Sequence, residues 1–147
     1  MKIYVTGIGV VSSIGLNADE NFHSLKTNST GIKQSSKYNL MLGEIKLTNE
    51  QIIQILNLPE EDYSRTTLLG LYAAKEAWGM NEISKNIRTG LISSTSVGGL
   101  DKMEEYYFYN KKNNSSEKYK LLTHDNGRTT EKIAKQLGIN GFIGTIS

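Results

Sequence analysis

The chain has 147 residues, a hydrophobic content of 37%, a charged content of 22% and a net charge of +2. This length is enough for one domain with its own core, and the lysines form no basic stripe, which argues against nucleic-acid binding. The absence of cysteine excludes disulfides and thiolate metal ligands, and two histidines are too few to indicate a zinc site. No apolar run approaches the length of a membrane span and no signal peptide is evident, so we expect a cytoplasmic protein without a cofactor.

The first element in chain order is a predicted strand, Lys2–Thr6, which a glycine loop follows at Gly7 and Gly9. Gly-x-Gly after a strand is typical of dinucleotide-binding loops, which need a third small residue where a helix begins. Here Ser12 holds that position and the next helix cap is Asn17, while no acidic residue follows at ribose-binding distance. The pattern therefore favours a structural turn, with a dinucleotide-binding fragment as the alternative.

Two capped helices are predicted next. Asn17 and Glu20 have capping-box-like spacing, as do Thr48 and Gln51. The apolar edge of the first helix comprises Phe22 and Leu25. The segment of residues 29–43, between the two helices, is irregular and polar.

A longer helix is predicted over Glu60–Trp78, after Pro59 and before Gly79. Its alanines permit close approach to a sheet. The second strand is predicted over Thr89–Ser94, and "LDKMEEYYFYN" then has a helical pattern.

Residues 111–120 are polar and of low complexity, which predicts a mobile excursion. A helix near Thr129–Leu137 and a turn at Gly138 and Gly141 lead into the closing strand. Strands separated by helices predict a parallel sheet built from crossover units, without an internal repeat or interdomain linker.

No complete catalytic set is evident from residue types and spacing. Ser93–Gly99 is rich in hydroxyls, but it lacks a nucleophile elbow and a histidine–acid pair, so it is interpreted as a strand end. His23 is expected to be a solvated surface residue, and His124 with Asp125 is expected to start a helix. Glu104-Glu105 are adjacent on a helix and point to different faces, unlike a working carboxylate pair.

The order of five segments resembles the β-ketoacyl synthases, the condensing enzymes of the thiolase-like superfamily. The segments are "VTGIGVVSSIG", "STGI", "SRTTLLGLYAAKEAW", "RTGLISSTSVGGLDKMEEYY" and "LGINGFIGTIS". The resemblance implies an α/β, thiolase-like layered fold of which residues 1–147 form only the N-terminal part, with a partial, mostly parallel sheet packed by helices. In the family the last segment runs into Thr-Ala-Cys-Ser, so the chain is expected to end just before the nucleophilic cysteine.

The chain departs from the family pattern at three places. Ser13 stands where many members have proline, Phe142 replaces the proline that usually follows Gly141, and the segment between Ile32 and Gly43 is short. Such trimming is similar to synthases of polyene-pigment or polyketide clusters.

The resemblance implies a decarboxylative condensation of an acyl thioester with a malonyl unit on an acyl carrier protein. The family's cysteine, histidines and lysine match no position of this chain, so its catalytic residues are predicted to be none and the chain alone is expected to be inactive. Val97 and Gly98 are the only site residues that carry over: an apolar residue before Gly-Gly lies at the mouth of the acyl pocket and influences chain length.

The implied partners are an acyl carrier protein and a second synthase chain, in a homodimer or heterodimer. No nucleic acid and no membrane are expected as partners. The alternative from a different class is a non-catalytic, chain-length-factor-like subunit that pairs with a working synthase.

Overall fold

The computed structural model describes residues 2–79, 87–113 and 125–147. Two compact units divide the chain: the first comprises residues 1–56 and 72–81, and the second comprises residues 57–71 and 82–147. The long central helix therefore contributes its beginning to the second unit and its end to the first.

The elements follow in chain order, with α-helices and short strands alternating irregularly. The helices are α1 (Ala18–Lys26), α2 (Asn49–Leu56), α3 (Arg65–Trp78), α4 (Leu100–Asn113) and α5 (Asn126–Leu137). The strands are β1 (Ile32–Gln34), β2 (Met41–Gly43), β3 (Leu91–Ser94) and β4 (Ile143–Ile146). The strands pair as β1 with β2 and as β3 with β4.

The glycine loop of the first unit packs directly on the end of α3. A Cβ atom at Gly7 would overlap the carbonyl oxygen of Ala77, and one at Gly9 would overlap that of Ala73. The two glycines and two alanines thus allow backbone to touch backbone. This explains the Gly-x-Gly pattern as a packing motif, in agreement with the structural interpretation that the sequence favoured.

Glu76 of α3 holds the same loop by its carboxylate. Its two oxygens accept hydrogen bonds from the backbone N–H groups of Val10, at 2.9 Å, and Ala18, at 2.7 Å. One side chain therefore ties the loop and the start of α1 to α3.

The predicted cap of α1 is confirmed. The Asn17 side chain accepts a hydrogen bond from the N–H of Glu20 at 2.8 Å, and the Glu20 carboxylate accepts one from the N–H of Leu16 at 2.8 Å. The apolar edge of this helix faces outward, since Phe22 and Leu25 are 63% and 66% exposed. The side chain that α1 buries is polar: the amide of Asn21 donates to the carbonyls of Gly15 and Asn17.

The cap of α2 is confirmed as well. The N–H of Thr48 donates to the side chain of Gln51 at 2.8 Å, and the N–H of Gln51 donates back to the Thr48 hydroxyl at 3.2 Å. Ile52 lies on its inward face and is fully buried.

The predicted strand Lys2–Thr6 is wrong. It pairs with no strand in the part of the chain that the structure describes, and Ile3 and Val5 are 83% and 84% exposed. β-Propensity reports a fit to a pleated surface, and a strand forms only when a neighbour accepts its hydrogen bonds. The antiparallel pair β1–β2, in register Ile32 with Gly43, lies in the segment predicted to be irregular.

Helix α3 begins at Arg65, five residues later than predicted. Ser64 is buried, and its hydroxyl accepts a hydrogen bond from the N–H of Thr67 at 3.2 Å, as an N-cap does. The Asp101 carboxylate accepts from the N–H of Arg65 at 2.8 Å, close to the positive end of the helix dipole. Residues 60–64 therefore lie outside the helix, which ends near Gly79 as predicted.

Strands β3 and β4 are parallel, as the sequence predicted, with Leu91 opposite Ile143. Helix α5 packs on this sheet; it begins after Asp125, whose side chain accepts from the N–H of Arg128, and ends at Gly138 with φ +67°. The buried apolar side chains of the unit are Tyr63, Leu68, Leu71, Ile133 and Ala134.

Candidate functional site

The loop that joins β3 to α4, residues 95–99, lies at the carboxyl ends of the two parallel strands. The N–H of Thr95 donates to the carbonyl of Ile146 at 3.3 Å, which extends the pairing by one hydrogen bond beyond the strands. In open α/β sheets, ligands bind outside the carboxyl ends of parallel strands. We call residues 95–99 the β3–α4 loop.

The conformation of the β3–α4 loop is fixed by the hydroxyl of Thr95. It accepts hydrogen bonds from the backbone N–H groups of Val97, at 3.3 Å, and Gly98, at 3.0 Å. Such a side-chain turn satisfies amides that no strand can pair. The loop then passes into α4, where the N–H of Leu100 donates to the carbonyl of Val97.

Asn126, the first residue of α5, holds the same loop from the other side. Its amide donates to the carbonyl of Thr95 at 3.1 Å. Gly98 has φ +49°, and a Cβ atom there would overlap the Oδ1 atom of Asn126. Gly98 is therefore needed both for its conformation and for the space that Asn126 occupies.

Val97 is the apolar side chain of the β3–α4 loop, and it lies on the outer surface. It is 52% exposed, whereas Gly98 and Gly99 are buried. The structure thus separates the two residues singled out from the sequence: Gly98 shapes the loop and Val97 forms its apolar surface.

Beneath the loop, three hydroxyls join α5 to both strands. The fully buried Thr130 lies 3.0 Å from the hydroxyl of Ser93 on β3 and 2.6 Å from that of Thr145 on β4, and it also donates to the carbonyl of Asn126. We call Ser93, Thr130 and Thr145 the hydroxyl cluster. Hydroxyls bonded to one another in this way fix the sheet on the helix, and among the described residues none of the three bonds to a basic side chain that could activate it.

The first turns of α4 carry a charged cluster that anchors the helix to residue 62. Lys102 lies 2.8 Å from Glu105 and 3.2 Å from Asp62, and these carboxylates raise the pKa of Lys102. The Tyr106 hydroxyl donates to Asp62, and this hydrogen bond, together with burial, raises the pKa of Tyr106 to about 12. Both groups therefore stay protonated at neutral pH, where they serve as donors.

Lys132 of α5 joins the same region. It lies 5.4 Å above the ring of Tyr63 and donates to the carbonyl of Asp62, and burial lowers the pKa of this lysine. A cation over an aromatic face contributes about 0.5–1 kcal/mol at an exposed site and more when desolvated.

The remaining candidates from the sequence do not converge on the loop. His23 is exposed on α1, and Glu104 and Glu105 are exposed on α4, with Glu105 paired to Lys102. Ser93 belongs to the hydroxyl cluster. His124 lies outside the described residues.

Asn126 and Thr95 were not singled out from the sequence. They are 31 positions apart, and neither belongs to a motif that would connect them. The available signal was the density of hydroxyl residues in "SSTS", which indicates side-chain turns without naming their partner.

The described residues contain no group of three or more histidine, aspartate or glutamate side chains that could hold a metal ion. Within the same residues, no helix is long and apolar enough to cross a membrane.

Comparison with known proteins places the fold. No protein-family model and no curated protein matches the sequence. Among solved structures, 27 chains match. One of them, described as the ishigamide ketosynthase/chain length factor, superposes with a TM-score of 0.78 over 97% of this chain, at 20% sequence identity.

The predicted fold class is thereby confirmed: the chain has the α/β fold of the thiolase-like ketosynthases. The match covers 39% of the neighbour's chain, so this chain spans about two fifths of the length of that protein.

Proposed function

We propose that this chain is the N-terminal part of a ketosynthase-like protein, a β-ketoacyl synthase that condenses an acyl thioester with a malonyl unit carried on an acyl carrier protein. The observation that carries the proposal is the structural match to a ketosynthase/chain length factor over nearly the whole chain. The order of the five sequence segments is a second line of support for the proposal, because it is read from residue types and not from the superposition of folds.

The uncovered face of the β3–β4 sheet also supports the proposal. Side chains alternate between the faces of a strand, so Ile92 and Ile146 lie opposite the hydroxyl cluster. They are 68% and 62% exposed. Large apolar side chains exposed on one face of a sheet indicate a surface that other structure covers, as a layered ketosynthase-like fold would.

Within this proposal, Val97 forms part of the mouth of the acyl pocket. Its half-exposed apolar side chain on a loop fixed by Thr95 and Asn126 has the rigidity that a size filter requires. Valine is smaller than phenylalanine and leaves more room for an acyl chain.

A second candidate is a non-catalytic subunit that pairs with a working synthase. The match supports it comparably, because the neighbour's description names both a ketosynthase and a chain length factor. Both candidates assemble as dimers of ketosynthase-like chains, and they differ in whether the full-length protein carries the nucleophilic cysteine.

The experiment that separates the candidates is an acylation assay on the full-length protein and on this 147-residue chain. Each is incubated with an acyl thioester of a carrier protein, and the intact mass is measured. A synthase gains the mass of one acyl group, while this chain, which contains no cysteine, gains none.

A full-length protein that stays unmodified alone, yet restores condensation when mixed with a catalytic homologue, is the partner subunit. No acylation and no effect on any homologue would overturn both candidates.

A further inference from the structure

A cleft in the first unit shares no residue with the β3–α4 loop or the hydroxyl cluster. It lies between α1 and the β1–β2 pair, has a volume of about 330 Å³, and is lined by Ser13, Ser29, Thr30, Lys33, Glu44 and Lys46 among others. A smaller cleft of about 210 Å³ shares Ser13 and Lys46 with it. We call the larger space the hydroxyl cleft. Its size suits a small molecule, and its lining combines five hydroxyl residues and two lysines with apolar surface that includes Ile14 and Leu42.

Ser13 occupies the wall of the cleft where two glycines make room for it. A Cβ atom at Gly43 would lie 2.9 Å from the Ser13 hydroxyl oxygen, and one at Gly31 would overlap Ser13. In the described residues this hydroxyl has no hydrogen-bond partner. A half-buried hydroxyl that is held by sterics but not by a bond is free to bind a ligand.

Two cations border the cleft without a neutralising partner. Lys33 and Lys46 are exposed, and neither forms an ion pair with a carboxylate in the part of the chain that is described. Glu44 is the carboxylate in the lining, and it interacts electrostatically with Lys37, which lies outside the lining. Positive charge therefore predominates around the cleft and favours an anion.

One further hydroxyl, that of Thr30, completes the donor set. The Thr30 oxygen accepts a hydrogen bond from the N–H of Ile32 at 3.1 Å, which leaves its own O–H to donate. The Ser29 hydroxyl lies 2.9 Å from that of Thr27, whose own O–H donates to the carbonyl of His23, so the Ser29 proton is used within this pair. Hydroxyl donors combined with ammonium groups match the oxygens of a phosphate.

We propose that the hydroxyl cleft binds the phosphate group of a small anionic molecule, with Lys33 and Lys46 balancing its charge and Ser13 and Thr30 donating to its oxygens. The site goes beyond the proposed function: no residue of the β3–α4 loop contributes to it, and its presence or absence leaves the ketosynthase-like assignment unchanged.

The test is a titration of the 147-residue chain followed by two-dimensional amide NMR, which also reports whether each variant is folded. The probes are inorganic phosphate and glycerol 3-phosphate, with sodium chloride at equal ionic strength as the reference. We expect saturable shifts at residues 13, 30–33 and 46 with either phosphate probe. Tighter binding of one probe identifies free phosphate or a phosphate ester as the source.

The double variant Lys33→Gln/Lys46→Gln should bind at least about tenfold more weakly, because two charge-assisted contacts are lost. Its matched control is Lys111→Gln/Lys112→Gln, which removes the same charge from exposed positions on α4 and should bind as the unmodified chain does. Ser13→Ala keeps both lysines and should bind about threefold more weakly.

Three results would overturn the proposal: no saturable shift with either phosphate probe, equal loss of binding in the two double variants, or shifts that sodium chloride reproduces. Should the cleft double variant fail to fold, Ser13→Ala decides, and unchanged binding by that variant contradicts the site.

Discussion

Two glycine-rich loops of this chain use the same residue type for different physical reasons. In the first unit, Gly7 and Gly9 let the backbone lie against the carbonyls of α3. In the second unit, Gly98 adopts a positive φ and packs against the side chain of Asn126. The first loop is thus defined by contact and the second by conformation. A glycine pattern in a sequence therefore indicates a constraint, and only the neighbouring atoms tell which constraint it is.

The largest loss of stability is expected where a glycine lies against backbone atoms of a helix. Gly9→Ala places a methyl group into the carbonyl oxygen of Ala73, which cannot move without disrupting α3. We expect a loss of about 3 kcal/mol or more in the free energy of unfolding, measured by urea denaturation. Gly127→Ala in α5 is the matched control, because its Cβ would lie 3.4 Å from the Oδ1 atom of Asp125, an ordinary contact, and alanine favours a helix by up to about 1 kcal/mol. Equal stability of the two variants would refute the contact explanation.

A substitution in the β3–α4 loop should destabilise the protein less, and the loss can be divided into a part from backbone conformation and a part from steric overlap. Gly98→Ala combines an unfavourable φ with a clash against a side chain that can move, so we expect a loss of about 2 kcal/mol. Gly138→Ala meets no atom within 4 Å at φ +67° and should cost only about 1 kcal/mol.

The difference between these two losses measures the clash with Asn126. In the Gly98→Ala background, Asn126→Ala should restore the stability lost to this clash. Thermal unfolding of the double variant measures the recovery. Additive losses would show that Asn126 does not restrict the loop.

Glu76 provides the next test, because it holds the first loop by two hydrogen bonds. Glu76→Gln keeps one acceptor oxygen but places an NH₂ group against the other N–H donor. We expect a loss of about 1–2 kcal/mol in urea denaturation. Glu131→Gln removes an exposed carboxylate paired to Arg128 and should change stability by less than about 1 kcal/mol. A Glu76 variant as stable as the Glu131 variant would contradict the role of Glu76.

The smallest effect is a titration at the helix that follows the second loop. The pKa of Tyr106 is raised to about 12 by its hydrogen bond to Asp62, above the ordinary value near 10. Because the folded-state pKa is the higher one, the stabilisation is complete below pH 10 and is lost as the pH rises through 12. Absorbance at alkaline pH should show a late-titrating tyrosine that Tyr106→Phe removes. Its persistence in that variant would assign the late titration to another tyrosine.

Local signals in the sequence predicted the helix ends that depend on neighbouring residues. Asn17 with Glu20 and Thr48 with Gln51 form the predicted caps, and Gly138 ends α5 in a left-handed conformation. The parallel pairing of β3 with β4 also followed from the alternation of strands and helices.

The remainder depends on contacts between distant residues. The segment Lys2–Thr6 has strand composition but no strand to pair with in the described ranges. Ser64 sets the start of α3 by bonding to Thr67, which a helical pattern through residues 60–64 conceals. In the candidate site, Val97 and Gly98 came from the family resemblance, while Asn126 reaches the loop only through folding.

The proposed function assigns Val97 to the lining of an acyl pocket in a ketosynthase-like protein. The direct measurement is the length distribution of acyl products made by the full-length protein, assembled with its partner chain and carrier protein, when Val97 is replaced by phenylalanine. We predict shorter products from Val97→Phe and an unchanged distribution from Met103→Phe, which places the same aromatic ring at an exposed position on α4. An active Val97→Phe assembly that makes products of the original length would contradict the placement of Val97 at the acyl pocket.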